Sequence, residues 1–171
     1  IANWFVEYTD LDKVWFVVSP QNPFKEKKSL LADHHRLALV RQAIEDDPRF
    51  WVTDIEFKMP QPSYTIDTLT YLQEKYPGHN FTLLAGSDQL PNFDKWKNPE
   101  QILKLYRMFV YARPGFKGSK YDNHPRVKIF DAPQMEISST FIRKSVKEGK
   151  DMRYMLPDKV WRYMQEMHFY E

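Results

Sequence analysis

Two apolar patterns alternate along the chain. Lys13 to Val18 (KVWFVV), Asn80 to Ala85, Met108 to Ala112 and Val127 to Ala132 are short, nearly continuous apolar runs. Such runs suit strands buried on both faces of a parallel sheet. Phe50 to Phe57 alternates Phe50, Val52, Ile55 and Phe57 around a break at Asp54, and reads as a further strand. Between the runs the spacing becomes helical. Ile1, Trp4, Phe5 and Tyr8 share one face of an opening helix. Leu37, Val40 and Ile44 form the stripe of a second, which Asp33 can cap and Asp46-Asp47-Pro48 ends. Thr65 opens a third, carrying Ile66, Leu69 and Leu72 and closed by Pro77-Gly78. Asn98-Pro99-Glu100-Gln101 offers a cap, a proline at the first helical position and a glutamine placed for a capping box. A helix from Pro157 to about Met167 completes the series.

Strand alternating with helix predicts an α/β domain with a mostly parallel sheet and flanking helices. The 171 residues make one domain with a real core. Sheets of this kind bind ligands beyond the carboxyl ends of their strands. Four polar segments follow strands on that side: Ser19 to Lys28, Gly86-Ser87-Asp88, Arg113-Pro114-Gly115, and Ile137 to Arg143. The connection Phe116 to Pro125 is polar and reads as a mobile loop.

Ile137-Ser138-Ser139-Thr140-Phe141-Ile142-Arg143 carries the most chemistry. Hydroxyl residues stand at a helix start, and Gly149 closes the short helix that follows. Unpaired backbone N–H groups there favour an anion, most naturally a phosphate. Arg143, about a turn further on, adds a forked cation suited to phosphate oxygens. An ordinary capped helix with a solvent-facing arginine has the same pattern, and convergence with the other loops is what favours a polyphosphate ligand.

Composition narrows the class. A net charge of +2 argues against a strong polyanion tether, and no basic, aromatic-lined sheet face suggests nucleic acid. Cysteine is absent, so disulfides, thiolate metal sites and cysteine nucleophiles are excluded; a cytoplasmic protein fits. No apolar run approaches the roughly 20 residues that cross a bilayer, and no signal-peptide pattern is present. Five scattered histidines form no metal-ligand spacing; His34 and His35 read as helix-surface residues.

I-S-S-T-F-I-R resembles the I-S-S-T-x-I-R signature of the nucleotidyltransferase superfamily. P-S-Y-T-I-D-T-L (Pro62 to Leu69), A-G-S-D-Q-L with a following Trp96, and A-R-P-G (Ala112 to Gly115) narrow the likeness to bacterial nicotinate mononucleotide adenylyltransferases. It runs from Ile1 to Glu171, and four motifs in order are far more specific than one. The resemblance implies a Rossmann-like, doubly wound fold and transfer of the adenylyl group from ATP to nicotinate mononucleotide, with Mg²⁺ carried on the ATP phosphates. By family position Ser138, Ser139, Thr140 and Arg143 hold the ATP phosphates and Ile137 lies near the adenine. Asp88 meets a nucleotide ribose and Arg113 faces the nucleotide. Tyr64 and Thr65 present donors to the nicotinate carboxylate, Trp96 stacks on the pyridine ring, and Lys25 reaches phosphate; Arg143 and Lys25 are the catalytic candidates. Each has a plainer alternative: a solvated lysine, a simple cap at Thr65, a core tryptophan, a turn aspartate, a surface ion pair for Arg113. Another acceptor, nicotinamide mononucleotide or phosphopantetheine, is the nearest rival, and a non-catalytic nucleotide-binding domain is a rival of another class. A homo-oligomer is left open.

The family's G-x-F-x-P-x-H-x-G-H motif is absent; no glycine precedes Gly78. The resemblance therefore implies a central first strand and two catalytic histidines upstream of Ile1, about two dozen residues by strand and motif length. A chain truly without them is expected to show little or no catalysis.

Overall fold

The computed structural model describes residues 1–20, 31–134 and 137–171. Helix α1 (Ala2–Tyr8) leads to β1 (Val14–Val17), α2 (Asp33–Ile44) and β2 (Phe50–Thr53). Then come α3 (Thr65–Lys75), β3 (Thr82–Gly86), α4 (Pro99–Leu105), β4 (Arg107–Tyr111), β5 (Val127–Phe130), α5 (Ser139–Lys147) and α6 (Asp158–Glu166). The strands form two parallel sheets, β1–β2 and β3–β4–β5. The register sets Gly86, Tyr111 and Phe130 side by side, so three strands end at one edge.

The three-stranded sheet is buried on both faces, as its continuous apolar runs require. Met108, Val110 and Val127 join Ile66, Leu69, Leu90, Phe93, Ile102 and Leu103 in the larger core beneath α3 and α4. Phe109 and Phe130 point the other way and meet Phe5, which is fully buried, with ring centres 6.3 and 5.3 Å away. A second apolar cluster joins Ile142 and Val146 of α5 to Val160 and Met164 of α6 and to Phe169, with Leu31 and Leu39 against it. Among the described residues no helix is long and apolar enough to cross a membrane.

Several local expectations are corrected. Ile1 and Tyr8 are exposed, and of the predicted stripe only Trp4 and Phe5 pack inward. Asp33 does not cap α2: Ala32 holds that position, and Asp33 pairs with Arg36 at 2.6 Å inside the first turn. No α2 residue is fully buried, and Leu39 rather than the Leu37–Val40–Ile44 stripe packs on the second cluster. His34 is exposed, but His35 bonds Tyr163 Oη at 3.0 Å and so faces α6. β2 stops at Thr53 because a 3₁₀ turn over Ile55–Lys58 takes over, closed by Phe57 N–H to Asp54 O at 2.8 Å. A second 3₁₀ stretch, Ser87–Lys95, occupies what read as a loop. Asn98 precedes α4 with left-handed backbone (φ 50°) and makes no side-chain cap bond, so the capping box does not form. The 116–125 connection is tied down: Phe116 and Tyr121 pack on the larger core, Lys120 pairs with Asp94 at 2.8 Å, and Tyr121 donates to the same carboxylate.

Polar ties link α1 to both sheets. Arg49, just before β2, donates to Asn3 at 2.9 Å and to Glu7, and Arg107 at the start of β4 pairs with Asp10 at 2.6 Å. Arg49 also binds Asp47, first through its guanidinium and then through its backbone N–H, which holds the Asp47 carboxyl down at about 2. A carboxyl depressed in the folded state contributes stability above its ordinary range, and that contribution is lost as pH falls through the folded value. Asp47→Asn is therefore expected to flatten the fall in stability between about pH 4 and pH 2. The pair is exposed, so the difference is small and shrinks at high salt. Urea unfolding of both proteins across that range checks it.

Candidate active site

Along β3 and its end at Gly86 lies a cavity of about 280 Å³. Consecutive residues of β3, Leu83 to Gly86, form one side of it, and Ser19, just past β1, reaches it from the other sheet. Tyr64, Thr65, Trp96 and Lys97 line it as well. Thus three of the four residues predicted for the mononucleotide side come together; the fourth, Lys25, lies outside the described residues.

Local chemistry explains why they meet. Tyr64 is the extended residue before α3, and α3 begins at Thr65 without a side-chain cap, so its first N–H groups stay available beside the cavity. Trp96 ends the 3₁₀ stretch and packs half-buried against Phe93, with ring centres 5.3 Å apart. This tryptophan packs on the larger core and also lines the cavity. Lys97 lies 5.0 Å above the Tyr64 ring and pairs with Asp67 at 2.8 Å, which fixes a cation at the rim.

Glu56 was invisible as a site residue from sequence, where it looked like one charge inside an apolar run. It is buried and lines the cavity. Ser63 Oγ donates to one of its oxygens at 2.5 Å and Thr68 Oγ1 to the other at 2.7 Å. The carboxylate thereby ties the segment before α3 to the second turn of that helix and orients Tyr64 and Thr65. The S-Y-T-I-D-T spacing held the signal, since Ser63 and Thr68 are the hydroxyl pair that Glu56 needs.

Asp88 and Arg113 also meet, by an ion pair of 3.0 Å. Gln89, a cavity residue, donates to the other Asp88 oxygen at 3.0 Å. Arg113 N–H donates to the buried Ser87 Oγ at 2.9 Å, and its guanidinium donates to Tyr111 Oη at 2.8 Å. The Tyr111 hydroxyl, more than Asp88, raises the Arg113 pKa. A methyl at 86 would stand 2.4 Å from Asp88 Oδ1 and 2.9 Å from Arg113 Nε, so any other residue there would push this ion pair aside.

The start of α5 lies beyond the lining of this cavity. Before it, Gln134 donates to Ala112 O at 2.6 Å, next to Arg113. Ser138 is the cap, accepting from Phe141 N–H at 3.1 Å. Ser139, Thr140 and Ile137 are exposed, and Arg143 donates to Thr140 Oγ1 at 3.2 Å. Lys25 lies outside the described residues.

A family model described as cytidylyltransferase-like matches residues 1–145. The probable nicotinate-nucleotide adenylyltransferase of Flavobacterium johnsoniae is 48% identical over 173 residues, covering 100% of this chain and 90% of that protein. This chain belongs to that family of adenylyltransferases, within the cytidylyltransferase-like proteins. The probable nicotinate-nucleotide adenylyltransferase of Cytophaga hutchinsonii is likewise 48% identical, over 99% of this chain and 88% of its own length. In fold, the chain matches the nicotinic acid mononucleotide adenylyltransferase of Plasmodium falciparum complexed with NaAD at a TM-score of 0.79. That match covers 99% of this chain and 87% of the other at 18% identity, and speaks to the shared Rossmann-like architecture of these adenylyltransferases alone.

Within this member of the family, Ser63→Ala and Thr68→Val each remove one donor from buried Glu56. Each is expected to cost about 1–3 kcal/mol. The double variant should depart from additivity, because both donors serve one carboxylate. Urea unfolding of the four proteins measures it.

Proposed function

We propose that this adenylyltransferase joins ATP and nicotinate mononucleotide to give nicotinate adenine dinucleotide (deamido-NAD) and pyrophosphate, a step of NAD biosynthesis. A phosphate oxygen of the mononucleotide attacks the α-phosphorus of ATP. The new P–O bond forms as the bond to the bridging oxygen breaks, and the electron pair leaves on pyrophosphate. No protein atom bonds to phosphorus, so the chain's work is to orient and to stabilise charge. Among the described residues no three His, Asp or Glu side chains come together as metal ligands, and Mg²⁺ enters on the phosphates of ATP.

The support that carries the reading is the meeting of Tyr64, Thr65 and Trp96 on one cavity beside the Asp88–Arg113 pair. Trp96 stacks on the pyridine ring. The open amides at the start of α3, with Tyr64 and Thr65, take the nicotinate carboxylate, and Lys97 adds positive charge at the rim. A carboxylate suits this helix start better than the neutral amide of nicotinamide mononucleotide. Ser139, Thr140 and the amides of α5 hold the ATP phosphates together with Arg143, while Ser138 serves the cap and Ile137 meets the adenine. Asp88 and Arg113 serve the nucleotide ribose and phosphate, and Lys25 is assigned to phosphate by its place in the sequence.

The proposed working domain also holds a strand between β1 and β3. Among the described residues β1 pairs only with β2 and β3 only with β4, leaving backbone donors and acceptors on both inner edges. The edge of β3 and the end of β1 border the same cavity. A parallel strand there would satisfy both edges and bring an H-x-G-H segment beside the phosphates.

The test is pyrophosphate release from Mg-ATP with nicotinate mononucleotide, nicotinamide mononucleotide and phosphopantetheine offered in parallel to the full-length protein. Strong preference for nicotinate mononucleotide is expected; phosphopantetheine as best acceptor, or silence with all three while ATP still binds, overturns the reading. Trp96→Ala should raise the KM for nicotinate mononucleotide about ten- to a hundredfold, the worth of one stacked base, with the KM for ATP little changed.

A further inference from the structure

Arg143 is held by more than its own helix. Its guanidinium carbon lies 6.0 Å from the ring centre of Tyr170, while one terminal nitrogen donates to Thr140. Tyr170 reaches this place through an unfavourable backbone path. His168 (φ 52°) is the left-handed cap that ends α6, its N–H on Gln165 O at 3.2 Å, and Tyr170 (φ 68°) takes left-handed backbone again, which residues with a Cβ rarely do. The segment between them is pinned. Phe169 is buried among Ile142, Val146 and Met164, its N–H donates to Met164 O at 3.0 Å, and its ring meets His35 at 4.8 Å and Tyr163 at 5.6 Å. Tyr170 itself is half-buried against the same cluster. Burial raises its phenol pKa, against the pull of the Arg143 and Arg36 charges, so the ring is neutral in the physiological range. Arg36 is committed elsewhere, to Asp33 at 2.6 Å and Leu31 O at 3.2 Å.

Tyr170 adopts left-handed backbone and sets an aromatic ring against a cation, although the aliphatic members of the cluster already supply the packing. An aromatic ring engages the flat face of a guanidinium and leaves its N–H edge for oxygens in the guanidinium plane. We propose that Tyr170 is a positioning residue for adenylyl transfer, its ring setting the edge of Arg143 toward the ATP phosphates at the start of α5. Tyr170 need not touch either substrate. The inference rests on the reading of Arg143 as a phosphate ligand, and the test separates the two.

Saturation curves for ATP and for nicotinate mononucleotide are measured on the full-length protein and its variants, with a thermal melt of each. Tyr170→Leu keeps the buried bulk and removes the π face. It is expected to raise the KM for ATP about tenfold and to lower kcat, with the KM for nicotinate mononucleotide within about twofold of the parent. Tyr170→Phe restores the parent values. Combined with Arg143→Ala, Tyr170→Leu adds nothing further, because the ring then has no cation to hold. Where the leucine variant fails to fold, Tyr170→Met against Tyr170→Phe makes the same comparison. Parent-like kinetics for Tyr170→Leu beside an impaired Arg143→Ala overturn the positioning role and leave the site reading standing. Losses that multiply in the double variant overturn it too. An unimpaired Arg143→Ala overturns the reading of the phosphate site, and the inference with it.

Discussion

The parallel register of β3, β4 and β5 is the constraint on which the rest depends. Both faces of this sheet are committed: Met108, Val110 and Val127 face α3 and α4, and Phe109 and Phe130 meet Phe5 of α1. Side chains alternate along a strand, so a slip of one residue would exchange an aliphatic face for an aromatic one. The pattern therefore admits one register, and that register aligns Gly86, Tyr111 and Phe130. The residues that follow them, Asp88, Arg113 and the approach to α5, inherit their positions from that alignment.

Beyond the strand ends, polar contacts rather than apolar packing do the placing. Glu56 is a buried carboxylate, costly unless its oxygens find donors, and Ser63 and Thr68 supply them. Ser87 takes the backbone N–H of Arg113, and Gln134 reaches back to Ala112. Each contact joins the loop after one strand to that after its neighbour, or a loop to the helix it opens. The site is thus a set of loops braced against one another on a fixed edge. This is how a chain that only binds and orients its substrates could hold two nucleotides in line.

Much of this was legible in the sequence, for identifiable reasons. Long continuous apolar runs have one good solution, so β1, β3, β4 and β5 were visible, as were α3 and α5, whose starts carry Tyr64-Thr65 and Ser138-Ser139. Tyr64, Thr65 and Trp96 were found through the family motifs that hold them, P-S-Y-T-I-D-T-L and A-G-S-D-Q-L with its following tryptophan, and not through topology. What escaped was local and relational. Ile55 and Phe57 have strand-like spacing, but a 3₁₀ turn buries Ile55 equally well. Ser87–Lys95, with Pro91 inside it, has no periodicity that betrays a 3₁₀ run. Tyr170 meets Arg143 only through the fold, and spacing along one chain cannot reveal such a pair; for Glu56 the hydroxyls of Ser63 and Thr68 were the one visible hint. The 116–125 connection looked loose because its polarity hides two aromatic anchors, Phe116 and Tyr121.

The central claim is that the mononucleotide binds where the start of α3 meets Trp96. Its most direct test is a titration of isotope-labelled protein with nicotinate mononucleotide, followed by the NMR shifts of the Thr65 and Ile66 amides and the Trp96 indole N–H. The account predicts that these signals move first and together, and that nicotinamide mononucleotide moves them less at the same concentration. Shifts confined to the separate groove of about 490 Å³ around Lys104, Lys120 and Arg126, with Thr65 and Trp96 unmoved, would contradict it.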